Sequence, residues 1–111
     1  MRKRVEASLD TGFFIAHMNG EPEALSCWQT FAQSDIPPVV SLLTIGELLY
    51  IGNRLNKPAI TKKIADSIFT ATNVMSIDPD IVEKAGMLKA GRGMPYNDAL
   101  ILATFMKAGC K

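Results

Sequence analysis

Short apolar segments alternate with longer amphipathic segments along the chain, and this alternation limits the possible fold more than any other feature. Residues 39–42 and 74–77 are apolar except for Ser41 and Ser76, which is typical of strands that are covered on both faces. Residues 5–10 are also predicted to form a strand, the first along the chain, which ends in an acid. A short helix is predicted to start at residues 13–16 and to stop at residues 19–20. Further helices are predicted over residues 21–34, 44–55, 61–72, 79–89 and 96–108.

Strands separated by helices are the signature of a parallel sheet with helices packed on its two sides. We therefore predict an α/β fold with three layers, helix on sheet on helix, around a central parallel sheet. The length of 111 residues fits a single domain over residues 1–111.

Charge and composition exclude several classes of protein. The formal net charge is only +1, without the strong basic excess of proteins that hold nucleic acid mainly through its phosphates. No apolar run approaches the roughly 20 residues that span a bilayer, so we expect a cytoplasmic protein with no membrane partner. The two cysteines are far apart in sequence and form neither a disulfide framework nor a CxxC metal pair.

Three acidic residues occupy positions that a sheet of this type would bring together. Asp10 ends the first strand, Glu47 follows the second strand, and Asp98 opens the last helix. In open parallel sheets, ligands bind beyond the carboxyl ends of the strands. Carboxylates that meet there repel one another unless a cation lies among them. Their hard oxygen atoms favour Mg²⁺ or Mn²⁺, whereas the single histidine, His17, has no partner at the spacing of zinc ligands.

Each acid also has a simpler structural interpretation. Asp10 is suited to cap the helix that follows it, and Thr44 with Glu47 forms the pattern of a capping box. Asp98 would be favoured at a helix N-terminus, where Asn97 is suited to cap the helix. However, Asp98 is followed at helical spacing by apolar residues, so we expect it on a buried stripe where a carboxylate needs a partner. These apolar residues are Ile101, Leu102 and Phe105.

Three motifs resemble those of the PIN-domain family, in order and over nearly the whole chain. Residues 8–15, Ser-Leu-Asp-Thr-Gly-Phe-Phe-Ile, resemble the first motif, a strand that ends in an acid and leads into a short helix. Residues 40–48 resemble the second, a strand followed by a helix that bears a glutamate. Residues 96–104, Tyr-Asn-Asp-Ala-Leu-Ile-Leu-Ala-Thr, resemble the third and most specific motif, in which the aspartate opens the helix.

The resemblance implies a Mg²⁺- or Mn²⁺-dependent nuclease that cuts RNA. Many bacterial and archaeal members are VapC-type toxins, which are held inactive by an antitoxin protein and are commonly homodimers. By this likeness Asp10, Glu47 and Asp98 would ligate the metal and carry catalysis. Thr11 or Asn97 would orient substrate or water, and basic residues would steer the RNA backbone. The basic candidates are Arg54, Lys57 and Arg92.

The sequence departs from the family pattern at its C-terminus. PIN domains continue past this last helix into another strand and usually supply a fourth acid, whereas here the sequence stops at Cys110 and Lys111. We therefore expect a PIN-like domain that lacks its last strand or strands, with an open sheet edge prone to pairing with another chain. An alternative to the nuclease is a PIN-like remnant that binds RNA or a protein without cutting.

Two other enzyme classes share part of the first motif. The triplet formed by Asp10, Thr11 and Gly12 also occurs in aspartic proteases, but these proteins are built almost entirely of strands. Phosphatases of the haloacid dehalogenase type require an acid two residues after the first aspartate, and that position is Gly12. The predicted helices and this glycine argue against both classes.

Overall fold

A parallel sheet of three strands forms the centre of the computed structural model, which describes residues 8–109. The strands are β1 (Ser8–Leu9), β2 (Val39–Ser41) and β3 (Asn73–Met75), in the spatial order β1-β2-β3. Leu9 pairs with Val40, and Val40 pairs with Val74. The predicted parallel sheet is confirmed. Residues 5–7 of the first predicted strand lie outside the described residues, and β3 ends two residues earlier than predicted.

In the described part of the chain, six helices connect the strands or follow β3. They are α1 (Thr11–Met18), α2 (Pro22–Ala32), α3 (Leu42–Arg54), α4 (Pro58–Ala71), α5 (Pro79–Arg92) and α6 (Tyr96–Ala108). Proline occupies the first turn of α2, α4 and α5, where its missing N–H is not needed. The helix α5 extends three residues beyond its predicted end. It stops at Gly93, whose φ of 66° favours glycine.

Two separate apolar clusters pack the helices. The first involves β1, β2, α1, α3 and α4 and includes Phe14, Val40, Leu48 and Ile68. The second joins α5 to α6 through Ile81, Ala85, Ala99, Leu100 and Ala103. The predicted α/β class with helices around a parallel sheet is confirmed. Within residues 8–109, none of the helices combines the length and the apolar character that crossing a membrane requires.

The start of α3 differs from its predicted start at residue 44. The hydroxyl of Ser41 caps the helix and accepts a hydrogen bond from the N–H of Leu43 at 3.2 Å. The capping box predicted from Thr44 and Glu47 is therefore wrong, because Thr44 already lies inside the first turn. Its side chain is fully buried instead. Since Glu47 does not serve the helix end, its carboxylate is available for another role.

The expected cap of α6 is also wrong. The helix is preceded by Pro95, and no side chain caps it, so Asn97 does not have the capping role that its position suggested. Asn97 is instead an exposed residue of the first helical turn. At the other end of α6, Gly109 adopts a left-handed conformation with φ of 81°, as expected for a glycine that ends a helix.

Candidate metal centre

The three candidate acids line one open cavity beyond the carboxyl end of β1. Its volume is about 360 Å³. Asp10 follows β1 directly, Glu47 lies on α3 just after β2, and Asp98 lies in the first turn of α6. The fold thus brings together three residues that are far apart in sequence, as the positions of the strand ends suggested. The complete lining is Asp10, Thr11, Gly12, Glu47, Asp98, Ile101, Leu102 and Phe105.

Asp10 is both a helix cap and a cavity residue. Its Oδ1 accepts a hydrogen bond from the backbone N–H of Phe13 at 3.1 Å, which caps α1. A carboxylate has two oxygen atoms, each with two acceptor sites, so this bond leaves acceptor capacity on Asp10. The cap also fixes the direction of the side chain. The two interpretations of Asp10 are therefore compatible, and the capping interpretation is confirmed.

Glu47 is held from the neighbouring helix. Its Oε1 accepts a hydrogen bond from the hydroxyl of Thr11 at 3.1 Å, between residues 36 positions apart in sequence. Glu47 lies in the middle of α3 and is half-buried. Thr11 is the first residue of α1, immediately after Asp10. Two of the three acids are thus anchored at the same junction between β1 and α1.

Asp98 was expected on a buried stripe, and this expectation is wrong. The side chain is exposed, because α6 directs a different face, with Ala99, Leu100 and Ala103, into the core. The residues at helical spacing after Asp98 are half-buried and form an apolar wall of the cavity instead. This wall was not predicted to be part of the site, although the spacing of its residues already placed it on the same helix face as Asp98. The wall consists of Ile101, Leu102 and Phe105.

The carboxylates of the cavity suit a hard divalent ion, but they are not spaced as they would be in a preformed metal site. Carboxylate oxygens are the ligands that Mg²⁺ and Mn²⁺ prefer, and three carboxylates open onto one space. Within residues 8–109, however, no three acidic, histidine or cysteine side chains are already close enough to hold one ion. Ligation of a metal by Asp10, Glu47 and Asp98 therefore stays a prediction, and it requires the carboxylates to draw together.

The five predicted substrate-binding residues differ in their placement. Thr11 lines the cavity, whereas Asn97, Arg54, Lys57 and Arg92 do not. Arg54 ends α3, where its guanidinium donates a hydrogen bond to the hydroxyl of Tyr50 at 3.1 Å. Lys57 immediately precedes α4, and Arg92 is the last residue of α5, shortly before the helix of Asp98. All three basic side chains are exposed, and their role in binding RNA stays a prediction.

Two further acids, Asp78 and Asp80, belong to a helix end rather than to the cavity. Asp78 caps α5 by accepting a hydrogen bond from the N–H of Ile81 at 2.9 Å. Lys107 of α6 donates a hydrogen bond to Asp78 and contacts Asp80 at 3.2 Å. The bond to Lys107, followed by the one from Ile81, lowers the pKa of Asp78, and Asp78 in turn raises the pKa of Lys107. These interactions join the start of α5 to the end of α6.

Comparison with known proteins agrees with the motifs and the fold. The family model of the PIN domain matches residues 7–111, which is almost the whole chain. The chain belongs to the PIN-domain family. This family carries nucleases and generally uses divalent metal ions, in agreement with three carboxylates that share one cavity. No curated protein matches the chain in a search by sequence.

Several solved structures resemble this PIN domain in fold. A toxin–antitoxin complex from Klebsiella pneumoniae has a TM-score of 0.76 at 23% identity, and the match covers 96% of this chain and 82% of that one. VapBC2 from Rickettsia felis, bound to a DNA fragment from its promoter, has a TM-score of 0.76 at 16% identity, with coverages of 96% and 84%. VapC20 from Mycobacterium tuberculosis, a toxin that cleaves the sarcin-ricin loop, has a TM-score of 0.75 at 23% identity, with coverages of 95% and 85%.

Proposed function

We propose that this PIN domain is a ribonuclease that hydrolyses RNA phosphodiester bonds with the help of Mg²⁺ or Mn²⁺. Asp10, Glu47 and Asp98 would hold the ion. The observation that carries the proposal is the convergence of these three acids, from three separate segments, on one open cavity. By contrast, Asp66, an exposed acid outside the cavity, is engaged in a local ion pair with Lys62 at 2.6 Å.

The residues of the cavity would have different roles in such a reaction. When bound, the ion would supply the positive charge that makes a water more acidic and stabilises the leaving oxygen. Asp10 and Glu47 already have fixed directions, because Phe13 and Thr11 donate hydrogen bonds to them. Asp98 is exposed in the first turn of α6, so its approach would complete the ligand set. Drawing the three carboxylates together is favourable only if a cation offsets their mutual repulsion.

The form of the cavity suits a flexible RNA strand. Its acids lie beside the apolar wall of α6, where an unstacked base has a surface to contact while its phosphate approaches the carboxylates. Bases splay out in this way in single-stranded loops and ends rather than in duplexes. Arg92 lies one loop before the helix of Asp98 and is the nearest in sequence of the basic candidates to attract the backbone.

The relatives suggest the partners of such a nuclease. Two of the similar structures contain VapBC or toxin–antitoxin assemblies, and on this basis we include an antitoxin protein among the expected partners. A homodimer remains part of the proposal, as does action on RNA in the cytoplasm. Large apolar side chains at the surface could contact an antitoxin or a second copy of the chain. Among them are Tyr50, Leu55, Phe69 and Met87, each more than half exposed.

A second candidate function is a PIN domain that binds RNA or a protein without cutting. It is favoured by one observation, which is that the described acids do not yet form a group able to hold an ion. The two candidates make opposite predictions for catalysis, whereas they agree on binding. Cleavage therefore discriminates between them.

The test is cleavage of a labelled single-stranded RNA by the purified protein with Mn²⁺ or Mg²⁺. Asp10→Asn removes one proposed ligand while keeping a side chain able to cap α1, so the fold should survive. Glu83→Gln changes an exposed acid of α5 outside the cavity and serves as the matched control. We expect cleavage by the wild type and by Glu83→Gln, and loss of cleavage in Asp10→Asn and in EDTA. Binding of RNA without any cleavage would favour the second candidate.

A further inference from the structure

The hydrogen bond between Thr11 and Glu47 is a connection across the candidate site itself. It runs from the start of α1 to the middle of α3 and is partly buried. Within residues 8–109, the other hydrogen bonds between side chains far apart in sequence are those of Lys107 with Asp78 and Asp80, away from the cavity. The hydroxyl of Thr11 therefore makes a long-range contact with one of the three proposed ligands.

A glutamate on a helix needs such a contact if it is to hold a fixed direction. Its side chain has three rotatable bonds, and its last torsion is broad, so an unsupported carboxylate samples many orientations. Capping already fixes Asp10, through the N–H of Phe13. Glu47 does not serve the end of α3, which is capped by Ser41. In the part of the chain that the structure describes, the hydroxyl of Thr11 is the side-chain donor that restrains the direction of Glu47.

The same hydrogen bond bears on whether Thr11 orients the substrate or orients Glu47. A threonine hydroxyl has one hydrogen to donate, and here it is donated to Oε1 of Glu47. That hydrogen is then not available to an RNA phosphate or to an attacking water. Donation of a hydrogen bond to a phosphate oxygen, one form of the role expected for Thr11 from the sequence, would require this bond to break, whereas the hydroxyl oxygen can still accept a hydrogen bond from a water. The hydrogen bond therefore favours a role in which Thr11 orients the carboxylate of Glu47.

We propose that Thr11 is a positioning residue, which holds the carboxylate of Glu47 in the direction needed for binding a divalent ion. This inference rests on the proposed function, because it assumes that Glu47 is a ligand. Groups that orient metal ligands by hydrogen bonds typically change metal affinity about 10- to 100-fold when they are removed. Thr11 does not contact the ion in this account, and its contribution passes through Glu47.

The test compares two substitutions of the same side chain. Thr11→Val keeps the size and branching but removes the hydroxyl, whereas Thr11→Ser keeps the hydroxyl and removes the methyl group. Thr30→Val is the matched control, since Thr30 is exposed on α2 and its hydroxyl bonds only to the backbone of Ser26 at 3.2 Å. Mn²⁺ binding to each full-length protein is measured by isothermal titration calorimetry without RNA, and melting temperatures are measured in EDTA.

We expect Thr11→Val to bind Mn²⁺ about 10- to 100-fold more weakly than wild type, with Thr11→Ser and Thr30→Val within about threefold of it. Wild-type affinity in Thr11→Val would overturn the inference and leave the proposed function standing. Equal weakening in Thr11→Val and Thr11→Ser would also overturn it, because the loss of affinity would then not depend on removal of the hydroxyl. No Mn²⁺ binding by the wild type would overturn the proposed function and the inference together.

A double-mutant cycle gives a second measurement that does not depend on a single variant. If Thr11 acts through Glu47, then Thr11→Val should have no further effect on Mn²⁺ affinity in a protein that already carries Glu47→Ala. An undiminished effect in that background would mean that Thr11 acts on the ion by another route, and the inference would be wrong. The same comparison with Thr11→Ala replaces Thr11→Val if the valine variant does not fold.

Discussion

The contact between α3 and α4 should tolerate a larger side chain less than most places in the molecule. Gly52 of α3 lies against Thr61 of α4, and both residues are buried. A methyl group added at Gly52 would lie 2.0 Å from Oγ1, 2.5 Å from Cγ2 and 2.7 Å from Cβ of Thr61. Rotation of the Thr61 side chain cannot relieve the contact with Cβ, because Cβ does not move with χ1. The substitution Gly52→Ala therefore forces the two helices apart.

The expected change in the free energy of unfolding of Gly52→Ala follows from two opposing effects. Replacing glycine by alanine within a helix gains about 1 kcal/mol of intrinsic propensity. Overpacking a well-filled core costs about 1–3 kcal/mol, and three contacts below 3.0 Å place this site at the upper end. We expect Gly52→Ala to lower the free energy of unfolding by about 1–2 kcal/mol relative to wild type.

Gly46 of the same helix provides the matched control. It is exposed, and a methyl group added there meets nothing within 4 Å. Gly46→Ala gains the helix propensity without the clash, so the difference between the two variants isolates the clash at about 2–3 kcal/mol. For a domain of this size, that corresponds to a difference of about 8–12 °C in melting temperature. Circular dichroism or scanning calorimetry in EDTA measures it.

Equal melting temperatures for Gly52→Ala and Gly46→Ala would refute this reasoning. Such a result would mean that α3 and α4 are not in close contact at Gly52 or that they separate at no cost. Either outcome would also weaken the account of the site, because the packing of α4 helps to fix the rotation of α3 and hence the position of Glu47.

The remaining predictions concern the ion pair between Asp78 and Lys107. Because the folded state lowers the pKa of Asp78 below 3.8, this group stabilises the fold above that pH, and the contribution is lost as pH falls through the lowered pKa. Asp78→Asn should therefore lower the melting temperature at pH 7, with a difference from wild type that shrinks in acid. Because the folded state raises the pKa of Lys107 above 10.5, its contribution is present below that pH and lost as pH rises through the raised pKa. Melting curves of both proteins from acid to alkaline pH test the two expectations, and a difference independent of pH would contradict them.

The sheet could be predicted from the sequence because its signals are local. The apolar run of β2 is buried on both faces, and the helices α4 and α5 begin with prolines that mark their starts in the sequence. The exact start of α3 could not be predicted, because Ser41 and Thr44 are both good caps and only the turn after β2 decides between them. The exposure of Phe69 on α4 likewise depends on which face meets α3.

The site could be predicted only in part, because some of its features depend on how the helices pack rather than on local sequence. The strand ends place Asp10 and Glu47 together, so their convergence follows from topology. The exposure of Asp98 and the apolar wall beside it depend on the rotation of α6, which the small residues Ala99 and Ala103 determine by packing on α5. The bond from Thr11 to Glu47 joins two helices and has no local signal in the sequence.

The position of a bound Mn²⁺ is the most direct test of the account. Crystals of the protein grown with Mn²⁺ and measured by anomalous diffraction would locate the ion without reference to any assumed site. We predict one peak in the cavity, with carboxylate oxygens of Asp10, Glu47 and Asp98 in its coordination shell. A peak bound elsewhere, or none at saturating Mn²⁺, would contradict the account.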